Sequence, residues 1–496
     1  MRTELGQAAV DVLLLLAGFG VLNAFGLVRP TFRGVAGATG LAFLTGLSAV
    51  MLIGIVLLVL GSAFRLPLFV AVSLVVAAAG LLARREWFRS IRRPTISLAQ
   101  LRSDFRAADV QVKLAVFALV GFALYTAFGF AVAGVKPMTE WDAWSLWARK
   151  GIALFYYGSL PLEMFTRSVY VFQHPDYPLL LPLFESVQYR AMGGLNTWAI
   201  HAQFWLFLVA FVWSLLYLGH RRGAFVAWTP IAIAVGVVPG VYGQLLTGYA
   251  DLPMALLLAL GVLMLAEWLR TDERGVLALA VLFLAAAANV KNEGLVASAI
   301  TMVVAGAIFV FTRRWSRLKV FAIGGAGYLA GVLPWRLWVA AHHIYHDVPL
   351  LKGIEPSYLA GRLDRVWPSV KAMYAQLIDQ STWIYIVPFA AAIVIASFLA
   401  GRRREQAVFF FVTGVGFFLA FVWTSWVAAV DPLNVFLSQS AYRIVASIAA
   451  ISLAAVLDLS APIPGEASDL RSRLLAPKAE DAQEEAREHR LEPAGD

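Results

Sequence analysis

Two carboxylates stand among tryptophans in the segment TEWDAWSLWARK, residues 139–150. Glu140 and Asp142 are candidates for a general base, because aromatic walls at a membrane boundary partly desolvate a carboxylate and raise its proton affinity. The faces of the same tryptophans can stack on a sugar ring. A structural alternative stays open, in which the tryptophans anchor the segment at headgroup level and the charges are simply solvated.

The structural alternative requires a particular helix. If Asp142, Leu146, Lys150 and Leu154 share one helical face, the segment is amphipathic and rests on the membrane surface. We expect interfacial helices of this kind in the long outer loops of the chain.

Polar side chains also interrupt apolar sequence at several later places. Placing an ionisable group at membrane depth costs free energy, so such a group marks a functional site by default. Arginine binds phosphate in a bidentate manner, so the cationic residues of this set are candidates for binding an anionic group. These later candidates for substrate binding are His174, Asp176, Tyr177, Tyr249, Asp251, Lys291, Asn292, Glu293, Arg336 and Arg443.

Some of these residues have structural interpretations that the sequence leaves open. Two prolines bracket Asp176 and Tyr177 and pin their backbone, which suits a rigid turn as well as a fixed His and Asp facing a site. Asp251 can cap a helix N-terminus. Lys291 and Glu293 can form a structural ion pair in a tight helical hairpin.

Metal binding also stays open at the sequence level. Carboxylates suit Mg²⁺ or Mn²⁺, and Asp142, Asp176 and Glu293 are the candidate ligands. His342 and His346 would share a helical face like a metal-ligand pair, but no glutamate completes the metalloprotease arrangement. We therefore interpret these histidines as interfacial.

The composition indicates a polytopic α-helical membrane protein. The chain has 496 residues and a mean hydropathy of +0.74, with repeated apolar runs of bilayer-spanning length. Its net charge of +9 comes from basic residues in short loops between these runs, so nucleic acid is not an expected partner. The absence of cysteine excludes disulfides, thiolate metal sites and a cysteine nucleophile.

We predict an all-α transmembrane bundle of about thirteen spans. Basic residues concentrate in the alternate loops that the positive-inside rule places in the cytoplasm, which are 84–113, 220–222, 270–274, 313–319 and 402–404. The first apolar run is interpreted as a span and not as a removable signal. The predicted spans are 9–29, 36–61, 66–83, 114–135, 198–219, 224–246, 251–269, 275–291, 294–312, 320–341, 383–400, 407–429 and 443–460.

This topology divides the chain into three parts. Residues 1–113 form an N-terminal three-span module with a basic cytoplasmic loop. Residues 114–460 carry the candidate site residues and are expected to form the transmembrane catalytic domain, whose long outer loops are 136–197 and 342–382. Residues 461–496 are rich in Pro, Glu and Arg and are expected to be a disordered cytoplasmic tail.

Six motifs in this order resemble the C-type integral-membrane glycosyltransferases. The resemblance is to the bacterial branch that includes protein O-mannosyltransferases and the lipid A aminoarabinose transferase. Residues 1–113 add three spans ahead of the span 114–135 that leads into the acidic loop, where many members have only one span before that loop. The motifs are EWDAW at 140–144, HPDYP at 174–178, GYADLP at 248–253, KNEG at 291–294, PWRLW at 334–338 and SAYR at 440–443.

The resemblance implies transfer of a sugar from a polyprenyl-phosphate donor to a glycan, lipid or protein hydroxyl. The reaction would occur on the outer face of the cytoplasmic membrane. An acidic residue in the first large outer loop is the family's base, a role that fits Asp142 best and Glu140 second. Basic residues hold the lipid phosphate, which agrees with Lys291 and Arg443.

The main alternative is a secondary transporter or flippase of a lipid-linked or small anionic substrate. Transporters are expected to show broken helices, repeat symmetry and ionisable residues near the bilayer midplane. Here the charges gather at one leaflet and no symmetry is evident. The sequence therefore favours a transferase over a transporter or a non-catalytic scaffold.

Overall fold

The computed structural model describes residues 2–85, 97–167, 169–170, 174–346, 350–401, 403–428 and 430–461. Across these residues the chain is helical with turns and contains no β-strand, which confirms the all-α fold class. Apart from Ala461, the expected disordered tail lies outside the described residues. So does the segment 86–96, which carries part of the first basic loop.

Twenty-two α-helices are described. A π-helical turn at Ala143–Trp147 and two 3₁₀ turns at Leu350–Ile354 and Leu363–Arg365 accompany them. In chain order the helices are α1 (Arg2–Ala24), α2 (Phe32–Gly37), α3 (Thr39–Val59), α4 (Leu66–Ala83), α5 (Leu98–Ala107), α6 (Val110–Val135), α7 (Ala148–Tyr157), α8 (Glu163–Thr166), α9 (Leu180–Met192), α10 (Thr197–Arg221), α11 (Phe225–Val237), α12 (Pro239–Leu245), α13 (Asp251–Thr271), α14 (Arg274–Val290), α15 (Asn292–Phe311), α16 (Trp315–Ala341), α17 (Pro356–Ala360), α18 (Val366–Leu377), α19 (Gln380–Trp383), α20 (Ile386–Leu399), α21 (Arg404–Val427) and α22 (Leu433–Ser460).

The long apolar helices make this a multi-pass membrane protein. Ten of those described are long and apolar enough to cross a bilayer, namely α1, α3, α4, α6, α10, α13, α15, α16, α21 and α22. The pair α11 and α12 makes an eleventh crossing if it is one span, while α14 and α20 are apolar but shorter. Length and composition of the described helices thus support ten or eleven crossings, fewer than the thirteen predicted.

A proline causes the bend of 55° between α11 and α12. Pro239 occupies the first turn of α12, where its missing N–H breaks the hydrogen-bond ladder. The residue before a proline avoids the helical region, and Val238 is extended, with φ −61° and ψ 126°. The chain therefore turns at this point and α12 leads towards the GYADLP motif.

Two helix boundaries differ from the prediction. The last span begins at Leu433, so Arg443 lies in its third turn and not at its end. Helix α16 ends at Ala341 and His343 has a positive φ of 50°. The expectation that His342 and His346 share a helical face is therefore wrong.

The N-terminal helices pack tightly against one another and against the rest of the bundle. A Cβ on Gly18 of α1 would lie 1.7 Å from the carbonyl oxygen of Ala42, and one on Gly46 of α3 would lie 1.8 Å from that of Leu14. Only glycine permits so close a crossing of two helices. Helix α3 also packs against α10, α14 and α16. The division of the chain at residue 113 stays a prediction.

Helices α13 and α22 run side by side in the same direction at the centre of the bundle. At one end Arg443 of α22 contacts Asp251, the first residue of α13. At the other end Glu267 of α13 and Asp458 of α22 both pair with Arg222. The two contacts are roughly 24 Å apart along α13 at the usual helical rise, so charged groups mark opposite ends of the bundle.

Candidate active site

Asp251 is the centre of a buried ion network. Its Oδ1 accepts a hydrogen bond of 2.8 Å from Lys291, and its Oδ2 accepts bonds of 2.8 and 3.1 Å from Nη2 and Nε of Arg443. Asp251 is 1% exposed and makes no side-chain capping bond at the start of α13. Asp251 therefore makes no capping hydrogen bond, although its place in the first turn of α13 suits the helix dipole. Its carboxylate joins the start of α13 to Lys291, which follows α14, and to the third turn of α22.

Asp142 extends this network towards solvent. Its Oδ2 lies 2.6 Å from Nη2 of Arg443, and its side chain is 25% exposed. The guanidinium of Arg443 also lies 4.3 Å from the centre of the Tyr249 ring, close enough for a cation–π interaction. Arg443 thus holds the buried Asp251, the accessible Asp142 and the GYADLP motif together.

Glu140 lies outside this network. Its carboxylate is 3.9 Å from Lys136 one turn earlier, and its side chain is 43% exposed. A pair this exposed is well solvated and contributes little. Of the two carboxylates in the opening segment, the structure brings Asp142 and not Glu140 to Arg443.

The segment around Asp142 is helical, as its spacing predicted, but its apolar face is buried. The π-helical turn at Ala143–Trp147 continues into α7, and Leu146, Lys150 and Leu154 are all inside the protein. Because α7 packs against α9, this face does not rest on the membrane surface as we expected. Trp141 and Trp144 are half exposed, whereas Trp147 is fully buried and stacks on Tyr177.

Lys291 is the single residue between α14 and α15, and its backbone is extended. Besides Asp251 it contacts Oε1 of Glu293 at 3.0 Å, so the predicted ion pair within the hairpin exists but is part of a larger network. Burial opposes the charged form of Lys291, yet the carboxylates of Asp251 and Glu293 outweigh burial and raise its pKa. Lys291 therefore stays charged at physiological pH.

A second chain of hydrogen bonds starts from the residue after Lys291. Asn292 donates to Oδ2 of Asp176 at 2.8 Å and accepts from Nη1 of Arg336 at 2.6 Å. Asp176 also accepts from Nδ1 of His346 at 3.0 Å, and its carbonyl oxygen accepts from the indole of Trp335 at 3.0 Å. The amide of Asn292 therefore links the HPDYP and PWRLW motifs.

The HPDYP segment forms the rigid turn that its prolines predicted. The ammonium of Lys150 is fully buried and donates to the carbonyl oxygens of His174, Pro175 and Tyr177 at 2.7, 3.3 and 3.1 Å. The ring of His174 stacks on that of Tyr177. The turn directs Asp176 towards Asn292. The role of His174 and Asp176 in binding a substrate stays a prediction.

Tyr177 and Tyr249 keep their hydroxyl protons. Burial, followed by the negative charges of Glu293, Asp176 and Asp251, raises the pKa of Tyr177 well above its ordinary value. Burial and the neighbouring Asp142 raise the pKa of Tyr249 to about 12. Both hydroxyls are therefore neutral, and each can donate a hydrogen bond to a ligand.

Sequence reasoning missed the roles of Lys150 and His346. Lys150 was assigned only to a helical face, although a lysine at an apolar spacing is a signal that its charge needs buried acceptors. His346 was interpreted as an interfacial residue. His346 and Asp176 are 170 residues apart in the sequence, and no local sequence pattern predicts a contact over that separation.

The three candidate metal ligands do not converge on one position. Asp142 faces Arg443, Asp176 faces Asn292 and His346, and Glu293 faces Lys291. Within the described part of the chain, no group of three or more His, Cys, Asp or Glu residues could hold a metal ion. Oδ1 of Asp176 and Oε2 of Glu293 are buried there without a hydrogen-bond partner, so they are available to a ligand. Binding of Mg²⁺ or Mn²⁺ stays a prediction.

Comparison of the chain with known protein families, with curated proteins and with solved structures found no match. The chemistry of the site itself must therefore carry the assignment of function.

Proposed function

We propose that this protein is a membrane glycosyltransferase that moves a sugar from a polyprenyl-phosphate donor to an acceptor hydroxyl. The observation that carries the proposal is the convergence of Asp142, Asp251, Lys291 and Arg443, from four distant segments, at one end of the bundle. Asp142 is a partly exposed carboxylate beside the largely buried Arg443, and Lys291 lies in the same network. These groups provide a base and two cations that can bind a departing phosphate.

The positions of the basic loops support an outer location for this site. Arg222 and Arg270 lie at the opposite end of α13 from Asp251, and the positive-inside rule assigns their end to the cytoplasm. The shorter helix α14 runs from this end, next to Glu273, to Lys291 at the other, so it crosses the bundle. Counting α14, α20 and the bent pair α11–α12 as crossings gives the thirteen spans, and the site faces outward from the cytoplasmic membrane.

The reaction is a single displacement. Asp142 takes the proton of the acceptor hydroxyl as that oxygen forms a bond to the anomeric carbon of the sugar. The bond from this carbon to the phosphate oxygen breaks, and polyprenyl phosphate leaves with the electron pair. Lys291 and Arg443, with Arg336 nearby, stabilise the charge that grows on the phosphate. One displacement inverts the configuration at the anomeric carbon.

The contacts of the network leave the groups that this reaction needs available. Oδ1 of Asp142 accepts no hydrogen bond from the described residues, so it can receive a proton. In the same part of the chain Nη1 of Arg443 donates to no acceptor. A phosphate can therefore bind without displacing Asp251, whose two bonds keep Arg443 in place.

The test is transfer of radiolabelled sugar from a polyprenyl-phosphate donor by the purified protein in liposomes. Asp142→Asn should lower kcat by about 10²–10⁴-fold, the usual contribution of a general base. Glu140→Gln is the matched control and should change kcat by less than about 3-fold, since Glu140 is solvated. Thermal unfolding and gel filtration of both variants establish that they fold.

The other outcomes contradict the assignment in distinguishable ways. Loss of transfer in Glu140→Gln alone would make Glu140 the base. Full activity in both variants would remove both carboxylates from the chemistry. Passage of the donor across liposomes without transfer would instead support a flippase or transporter.

A further inference from the structure

Asp11 is a carboxyl group inside the membrane, away from the network above. It lies in α1, about 14 Å along the helix from its first residue, which is close to the middle of a span. Its Oδ1 accepts a hydrogen bond of 3.0 Å from Nε2 of Gln188 in α9, and its Oδ2 accepts one of 3.0 Å from Nε2 of Gln203 in α10. Asp11 thus joins the N-terminal helices to two elements of the catalytic domain.

No cation in the described part of the chain balances a charge on Asp11. It takes part in no ion pair there, and its two partners are neutral amides. Helices α3 and α4, which pack against α1, contain no charged or titratable residue. The titratable and charged residues of the other two helices are Glu185, Tyr189 and Arg190 on α9 and His201, Tyr217, His220 and Arg221 on α10.

An ionised carboxylate in this position would carry a large desolvation penalty. The arginines of α9 and α10 bond elsewhere, because Arg190 donates to the carbonyl oxygen of Leu154 and Arg221 to that of Leu27. Buried charges persist when they are paired, and otherwise the group neutralises. The surroundings of Asp11 therefore favour a neutral acid.

The two amides can also bind the protonated form of Asp11. Gln188 is 0% exposed and Gln203 is 4% exposed, and the Oε1 atom of each has no hydrogen-bond partner in the described part of the chain. Each orphaned oxygen belongs to the same planar amide as the nitrogen that contacts Asp11. A carboxylic acid has the O–H donor that such an oxygen lacks, whereas a carboxylate accepts only.

We propose that Asp11 is a proton-binding site within the membrane, with the amides of Gln188 and Gln203 as its ligands. The proton comes from water and forms an O–H bond on one carboxyl oxygen. One amide turns over, so that its Oε1 accepts this O–H, while the other amide still donates to the second carboxyl oxygen. Two amide atoms then lack a partner, as two Oε1 atoms did before, but the site carries no net charge.

The site is connected to its surroundings in two directions. Asp11 lines a cavity of about 270 Å³ between α1, α3 and α10, whose other walls are almost entirely apolar. Gln188 lies on α9, which begins directly after the HPDYP turn, so the proton on Asp11 is linked through α9 to the turn that carries Asp176. The N-terminal module thereby gives the bundle a protonation site that the transfer reaction does not use.

Infrared spectroscopy of the full-length protein in lipid nanodiscs tests this directly. With ¹³C-labelled aspartate, the wild type at pH 7 should show a protonated aspartic acid C=O band, and Asp11→Asn should lose it. Asp109→Asn is the matched control, because Asp109 is exposed at the start of α6 and should not contribute. The isotope label separates the band from that of Glu185.

Two results would overturn the proposal. One is a wild-type spectrum at pH 7 with aspartate only in the carboxylate form. The other is a carboxylate band that responds to Na⁺ against choline at fixed ionic strength, which would make Asp11 a sodium site. If Asp11→Asn fails to fold, loss of the labelled acid band when the wild type is brought to high pH keeps the test decisive.

Discussion

Substituting Asp251 by asparagine tests the view that one buried carboxylate organises the site. Asparagine has the same shape but cannot neutralise Lys291 and Arg443, which approach Asp251 at 2.8 Å each. Removing one partner of a buried ion pair costs about 3–5 kcal/mol, because the remaining charge stays buried. We therefore expect the free energy of unfolding to fall in Asp251→Asn.

The remaining contacts set the expected size of the effect. Lys291 keeps Glu293 at 3.0 Å and Arg443 keeps Asp142 at 2.6 Å, so neither cation loses its last carboxylate. The loss should accordingly lie near the lower limit, at about 3 kcal/mol. Asp272→Asn is a suitable control, because its pair with Arg317 is half exposed and should contribute at most about 1 kcal/mol.

The assay is equilibrium unfolding of the full chain in mixed micelles with increasing denaturing detergent, followed by helix content. A loss in Asp251→Asn of no more than 1 kcal/mol, equal to that in Asp272→Asn, would refute the reasoning. It would mean that Lys291 and Arg443 are already solvated or satisfied without Asp251. In that event Asp251 would be a neighbour of the site and not its organising group.

Two further predictions concern the helices that support the site. Lys150→Met should lower the free energy of unfolding by about 2–4 kcal/mol, because three carbonyl oxygens of the 174–177 turn lose their charged donor. Lys371→Met is the control, because Lys371 is exposed. Equal losses of stability in the two variants would contradict the role of Lys150. Burial raises the pKa of Glu185 to about 8, so its folded state binds a proton that the unfolded state releases above about pH 4.5. Stability should therefore fall as pH rises from about 4.5 to 8, by as much as roughly 5 kcal/mol, and this part of the slope should disappear in Glu185→Gln. An unchanged slope in that variant would show that Glu185 is ionised or solvated in the folded protein.

The apolar runs predicted most of the bundle, because any segment that crosses a bilayer must satisfy its own backbone hydrogen bonds as a helix. Their ends were less predictable. Arg443 was expected at the end of the last span but lies in its third turn, since the helix begins at Leu433, directly after Pro432. The bend at Pro239 follows from a local rule, yet its use to direct the chain towards Tyr249 does not.

The sequence by itself determined which residues could form a site, since an Asp, a Lys or an Arg in apolar sequence needs a partner or a purpose. It also determined the helical class and, through Pro175 and Pro178, the rigid turn at Asp176. Only the tertiary structure decided the pairings: that Asp142 and not Glu140 meets Arg443, and that Asp251 joins two cations. These contacts depend on how helices pack across the bundle. The periodicity of the sequence does not encode which distant segments pack together.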